Sequence, residues 1–258
     1  MARFGNWNRF PRYVPVAERR FNADKARKAL EKKGHRLNPA ILHTPLRSWW
    51  ASSWCKNLER YADYSNRIGR GRSYARNGSV VDLNLEAGKI LALVQGSQAR
   101  PYKIEIKLTI FRADKRRELA SLCEGKLESA EALLSGTFPK ELEPLLFGKE
   151  QGLFPDPRQI TFTCSCPDSA NMCKHVAASL YAVGARLDED PLLFFTLRGI
   201  QVEELVGHIV EKSTESLLKK KRGSKNESKV LDTDDSGLGK LFGLNFSAKK
   251  KTPPRPKN

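Results

Sequence analysis

The chain has 258 residues, 40% of them apolar, and a formal net charge of +17. That length holds enough core to fold without disulfides. No apolar run approaches the ~20 residues that span a bilayer, and the N-terminus has no apolar stretch of the secretory kind, so neither a membrane nor a secreted protein is expected. Five cysteines fit a reducing, cytoplasmic setting.

The placement of the charge matters more than its sum. Residues 1–77 carry 18 Lys/Arg against 5 Asp/Glu, residues 78–218 carry 16 against 20, and residues 219–258 carry 12 against 4. The positive excess therefore sits in two flanks around a mildly acidic middle. Such flanks suit a polyanionic partner, nucleic acid above all, although solvated faces and solubilising tails look the same in composition.

Residues 1–16 form an extended arm, with Pro11 and Pro15 breaking any helix. A basic helix follows to Lys33 and ends at Gly34. With charge on most faces it reads as a solvated spacer or as an arm that touches DNA or RNA. Residues 47–62 are expected to be helical, with Trp50, Trp54 and Leu58 at i, i+4 and i+8. Aromatic residues at that spacing bury in a core or offer a stacking platform to unpaired bases.

Asn66 to Gly78 interleaves Arg67, Arg70, Arg72 and Arg76 with Gly69, Gly71 and Tyr74. Arginine forks onto phosphates and glycine lets backbone approach closely, so these four arginines are candidate nucleic-acid contacts. The other reading is an Arg/Gly turn leading into a sheet, with its arginines paired to the acidic middle. The stretch is not a phosphate-binding loop, since G-x4-G-K-[ST] is absent.

Three strands come next: Ser79–Leu85, Lys89–Gln95 and Tyr102–Phe111, with turns at 86–88 and 96–100. Ile104, Ile106, Leu108 and Ile110 share one face of the third, and Tyr102 is grouped with the polar remainder. An antiparallel meander with one buried face fits this pattern. Helices at 114–123, 128–135 and 139–146 are expected to cover it.

The stretch Thr161–Tyr181 (TFTCSCPDSANMCKHVAASLY) carries the chemistry. In an extended segment Cys164 and Cys166 point to one side and Ser165 to the other. Pro167 ends the strand, and Asp168 and Ser169 supply turn and capping chemistry. A helix follows, with Val176, Leu180 and Val183 as its apolar stripe. Cys164, Cys166, Cys173 and His175 then form a complete tetrahedral zinc complement, with no position left for a reactive water. Buried thiols, a disulfide framework and a Cys–His nucleophile are the competing readings. Cysteines clustered at two-residue spacing in a cytosolic chain favour the metal. Lys174, beside a helix N-terminus, adds a candidate anion contact. Cys55 and Cys123 are expected to be small core residues.

Asp188–Asp190 and Pro191 are expected to open a buried helix through Leu197, ended by Gly199, and Val202–Lys212 forms a last amphipathic helix. From 219 onward the basic tail cannot build a core and is expected to be disordered. Its apolar island (Leu238, Leu241, Phe242, Leu244, Phe246) has the composition of a docking motif.

The pattern C-x-C-x6-C-x-H, with C-P-D after the second cysteine and K-H-V-A-A at its end, resembles the SWIM-type zinc finger. Ser48-Trp49-Trp50 with Trp54, GRGRSYARNGSV at 69–80, LVQGS at 93–97 and LDEDPLLFFTLRG at 187–199 resemble bacterial SWIM zinc-finger family proteins. Ser169 stands where that family usually carries Trp. The resemblance implies DNA binding or protein interaction, and a remodeller-type helicase as companion.

The expected architecture is α+β. A basic arm and helix (1–44) precede an α+β domain with the three-stranded meander (45–158). A strand–knuckle–helix zinc finger with C-terminal helices (159–213) and the basic tail (219–258) follow. No catalytic set is present: there is no H-E-x-x-H, no G-x-S-x-G and no framed carboxylate pair. The expected function is a non-enzymatic, Zn2+-binding module for nucleic acid, DNA ahead of RNA. The alternative is an adaptor whose zinc finger and tail dock a partner protein.

Overall fold

The computed structural model describes residues 14–123 and 152–201, together with Glu203, Gly207 and Thr214. The helices expected at 128–135 and 139–146, the arm before Val14 and the tail from 219 lie outside the described residues, as does the helix expected at 202–212 apart from Glu203 and Gly207, which are helical.

A four-stranded antiparallel sheet forms the base of the molecule, in the order β1-β2-β3-β4. Its strands are β1 (Val80–Glu86), β2 (Lys89–Val94), β3 (Tyr102–Leu108) and β4 (Ile160–Cys164). The β1–β2 hairpin turns at Gly88, whose φ of 69° suits glycine. The meander has three consecutive strands as expected, and β4 adds a fourth. Ile104 pairs with Cys164 and Leu108 with Ile160, so the strand that enters the cysteine motif is locked to the sheet.

Two details of β3 differ from expectation. Tyr102 shares the buried face with Ile104, Ile106 and Leu108, because even positions point inward from the first residue of the strand. Ile110 lies beyond the end of the strand and is half exposed.

The central helix lies over this face. It is α5 (Lys174–Glu189), preceded in the chain by α1 (Val16–Glu31), α2 (Trp49–Leu58), α3 (Ser65–Arg76) and α4 (Ala113–Cys123), and followed by α6 (Leu193–Leu197). The apolar stripe expected of α5 is too narrow a description. Every residue from His175 to Ala185 is buried, because α2, α3 and the sheet enclose the helix. Small residues make that enclosure possible. A Cβ at Gly184 would stand 2.7 Å from Cys55 Sγ on α2. One at Gly71 would collide with Ala177 and approach the backbone of Ala177 and Ala178 to 3.0 Å.

Of the tryptophans of α2, Trp54 belongs to the core, and Trp49 and Trp50 pack half-buried against it. The indole N–H of Trp54 donates to Leu180 O at 2.8 Å and that of Trp50 to Leu187 O at 2.8 Å. Trp54 is 3% exposed and packs edge-on against Phe154 and Phe194.

The Arg/Gly stretch is the helix α3 rather than a turn. Glycine in a helix costs about 1 kcal/mol, and at Gly71 close packing on α5 offsets it. The basic helix α1 is anchored rather than free. Arg19 and Ala23 are buried, the Arg19 guanidinium lies 4.2 Å over the Tyr74 ring, and Arg20 donates to Asn77 Oδ1 at 2.7 Å.

Asp188 does not open the next helix. It lies in the last turn of α5 and anchors Ser48, the N-cap residue of α2, accepting from the Arg47 and Ser48 N–H groups and from the Ser48 hydroxyl at 3.0, 2.7 and 2.6 Å. Burial works against its charge, but these three donors outweigh that and hold its carboxyl below the ordinary value. Arg198, which the sequence did not single out, is 1% exposed. It donates to Thr109 O and Gln159 Oε1 at 2.7 and 2.9 Å and stacks on Phe111, tying α6 to the β3 and β4 connections. Burial lowers its pKa to about 10.

Among the described residues no helix is long and apolar enough to cross a membrane.

Candidate metal centre

Cys164 is the last residue of β4, and its position follows from pairing with Ile104. Ser165 turns the other way, as its spacing predicts. Its hydroxyl accepts from the Lys103 N–H at 2.9 Å and its own N–H donates to Lys103 O at 3.0 Å, which extends the ladder past the strand end. Cys166 then faces the same side as Cys164.

Two carboxylates shape the knuckle between Cys166 and Cys173. Asp168 Oδ1 accepts from the Ala170 N–H at 3.3 Å, an Asx turn, and from Arg67 Nη2 at 3.2 Å, with Arg67 Nε in an ion pair 3.1 Å from Oδ2. Asp63, from the loop before α3, accepts from the Asn171 and Met172 N–H groups at 2.8 and 3.3 Å. Cys173 is the N-cap residue of α5 and His175 lies in the first turn. Ser179 Oγ donates back to His175 O at 3.0 Å.

The four ligand atoms all lie within 4.8 Å of one another. His175 Nδ1 stands 3.9 Å from both Cys164 Sγ and Cys173 Sγ. A tetrahedron with Zn–S of ~2.3 Å and Zn–N of ~2.0 Å has S···N edges of about 3.6 Å. The cluster therefore fits zinc with little adjustment, and Nδ1 is the ligating nitrogen.

The protonation pattern also calls for a cation. The hydrogen bond from Cys164, helped by His175, holds Cys173 low as a thiolate. That same bond and burial push Cys164 up, and burial raises Cys166. Three thiols this close cannot all ionise on their own, whereas a bound Zn2+ makes thiolate the stable form of each.

The imidazole is held by rings and by a turn. Tyr102 stacks against His175 at 4.3 Å between centroids and Tyr74 meets it edge-on at 5.6 Å. The backbone of Gly96 abuts both the Tyr102 ring and the Nε2 edge of the imidazole. A Cβ there would strike the Tyr102 ring and stand 2.8 Å from His175 Nε2. Gly96, expected only as the start of a turn, is thus also the residue that leaves room for the Tyr102 and His175 rings. Asp63, Tyr74 and Tyr102 were missed as well, because they lie 73 to 112 residues from His175 in the chain.

The structure separates the five candidate anion contacts. Arg67 is held in its ion pair with Asp168. Arg72 pairs with Glu59, donates to Tyr181 Oη at 3.0 Å and lies over the Tyr181 ring. Arg70 and Arg76 are exposed on α3, and Lys174 is half-buried at the start of α5.

A strand, a knuckle and a helix converging three thiolates and one imidazole on a point define a structural zinc-binding module. Residues 158–184 match the SWIM zinc finger family model, and the chain carries that finger. The chain is also 39% identical over 163 residues to Uncharacterized protein Rv2102 of Mycobacterium tuberculosis, covering 63% of this chain and 58% of that protein. It thus spans less than two thirds of that relative's length. No solved structure matches it.

Proposed function

We propose that this chain is a non-enzymatic, zinc-scaffolded module that binds nucleic acid, DNA ahead of RNA, in the cytoplasm. The ion's part is mechanical: four protein ligands leave it no open position, so it fixes β4 against α5 and exposes no Lewis acid.

The observation that carries the proposal is the division among the α3 arginines. Arg67 and Arg72 are engaged inside the molecule, whereas Arg70 and Arg76 are exposed with no ion pair among the described residues. Exposed guanidinium groups on a chain of net charge +17 favour phosphate. The resemblance to SWIM proteins supports DNA and, as a companion, a remodeller-type helicase.

Binding of a labelled DNA duplex, followed by anisotropy across a salt series, tests this. Affinity should fall steeply between low and physiological salt. The double substitution Arg70→Gln, Arg76→Gln should flatten the log–log slope by about 2, one unit per lost phosphate contact. If neither duplex nor single strand shows salt-sensitive binding, the adaptor role takes over. Co-purification with a helicase that survives nuclease treatment would then be the expected finding.

A further inference from the structure

The outward face of α1 has a composition that the fold does not use. With Arg19 and Ala23 buried on one side, helical spacing sets Phe21, Lys25, Lys28 and Lys32 at i, i+4, i+7 and i+11 on the other. All four are exposed. Phe21, at 68%, is the most exposed large apolar side chain among the described residues. None of the three lysines has an ion pair among the described residues, whereas Arg27 is occupied by Asp24. The helix is also tied to the fold, by Arg19 on Tyr74 and by the Arg20–Asn77 bond.

We propose that this face is a binding surface for single-stranded nucleic acid: Lys25, Lys28 and Lys32 hold successive phosphates and the Phe21 ring stacks on an unpaired base. The proposal rests on the nucleic-acid function above and names its substrate class. Charge complementarity selects a polyanion. The ring selects an unpaired strand, because a duplex hides its base faces while a single strand offers one at every nucleotide. An anionic membrane is the poorer match, since the apolar side of α1 is turned to the core and one phenyl ring is little area to insert.

The test uses the full-length, zinc-loaded protein with a labelled oligothymidine, the corresponding duplex, and phosphatidylcholine–phosphatidylserine vesicles. Phe21→Ala should weaken oligothymidine binding at least about fivefold, leave the duplex unchanged, and recover with Phe21→Tyr. Replacing the three lysines by glutamine should flatten the single-strand salt slope by about 2. Since Phe21 is exposed, unchanged zinc content and melting temperature are expected in each variant. Equal oligothymidine affinity in wild type and Phe21→Ala would overturn the proposal, as would binding to vesicles without binding to oligothymidine. Salt-sensitive duplex binding would still leave the broader function standing in that event. Loss of all salt-sensitive nucleic-acid binding in the wild type would remove both.

Discussion

Cys173→Ser is expected to abolish stoichiometric zinc and to lower the melting temperature more than any substitution of a single core residue. Structural zinc stabilises finger peptides by about 10–16 kcal/mol at neutral pH. A core truncation costs about 2–5 kcal/mol. Cys173 is the ligand where the loss should spread furthest. It is 1% exposed, occupies the N-cap position of α5 and lies close to His175 Nδ1. Because α5 is enclosed by α2, α3 and the sheet, loosening its first turn exposes surface on all three. Metal analysis, calorimetry and hydrogen exchange over 160–189 would measure the effect. Full zinc occupancy with unchanged melting would show that Cys173 is no ligand.

Gly71→Val carries the next largest effect, at roughly 3 kcal/mol or more, the upper end of overpacking costs. The atoms that a Cβ would meet include the backbone of Ala177 and Ala178 at 3.0 Å, so no side-chain rotation relieves the clash. The helices α3 and α5 would have to separate, which would also disturb the Arg72–Tyr181 contact. Gly69→Val is the control, because nothing lies within 4 Å of its Cβ position. It should cost less than 1 kcal/mol beyond propensity effects. Denaturant unfolding of the pair distinguishes a glycine that admits a neighbouring helix from one that faces open space. If Gly69→Val proved the more destabilising of the two, the packing account of α3 would be wrong.

The same pair shows what was legible in the sequence. The ligand set could be read directly, because strand and helix periodicities place Cys164, Cys166, Cys173 and His175 by local geometry alone. The strands could be read as well, since their alternation of apolar residues follows from a half-buried pleat. The role of Gly71 could not, because its cause is Ala177, more than a hundred residues on. Whether Arg67 and Arg72 pair internally or stay free for phosphate stayed open for a similar reason: Asp168 and Tyr181 meet them only in the fold, though Glu59 lies nearby in the chain. Asp188 was misplaced because an acid before Pro191 has the local signature of a first helical turn, while the residue it anchors, the α2 cap Ser48, lies 140 residues earlier. Local spacing thus revealed the metal chemistry and concealed the supports around it.

Zinc K-edge absorption on the purified, metal-loaded protein addresses the account most directly. Three sulfurs near 2.3 Å and one imidazole nitrogen near 2.0 Å, with no oxygen in the shell, are the expected neighbours of the ion. A shell with an oxygen neighbour, or with two sulfurs in place of three, would contradict it.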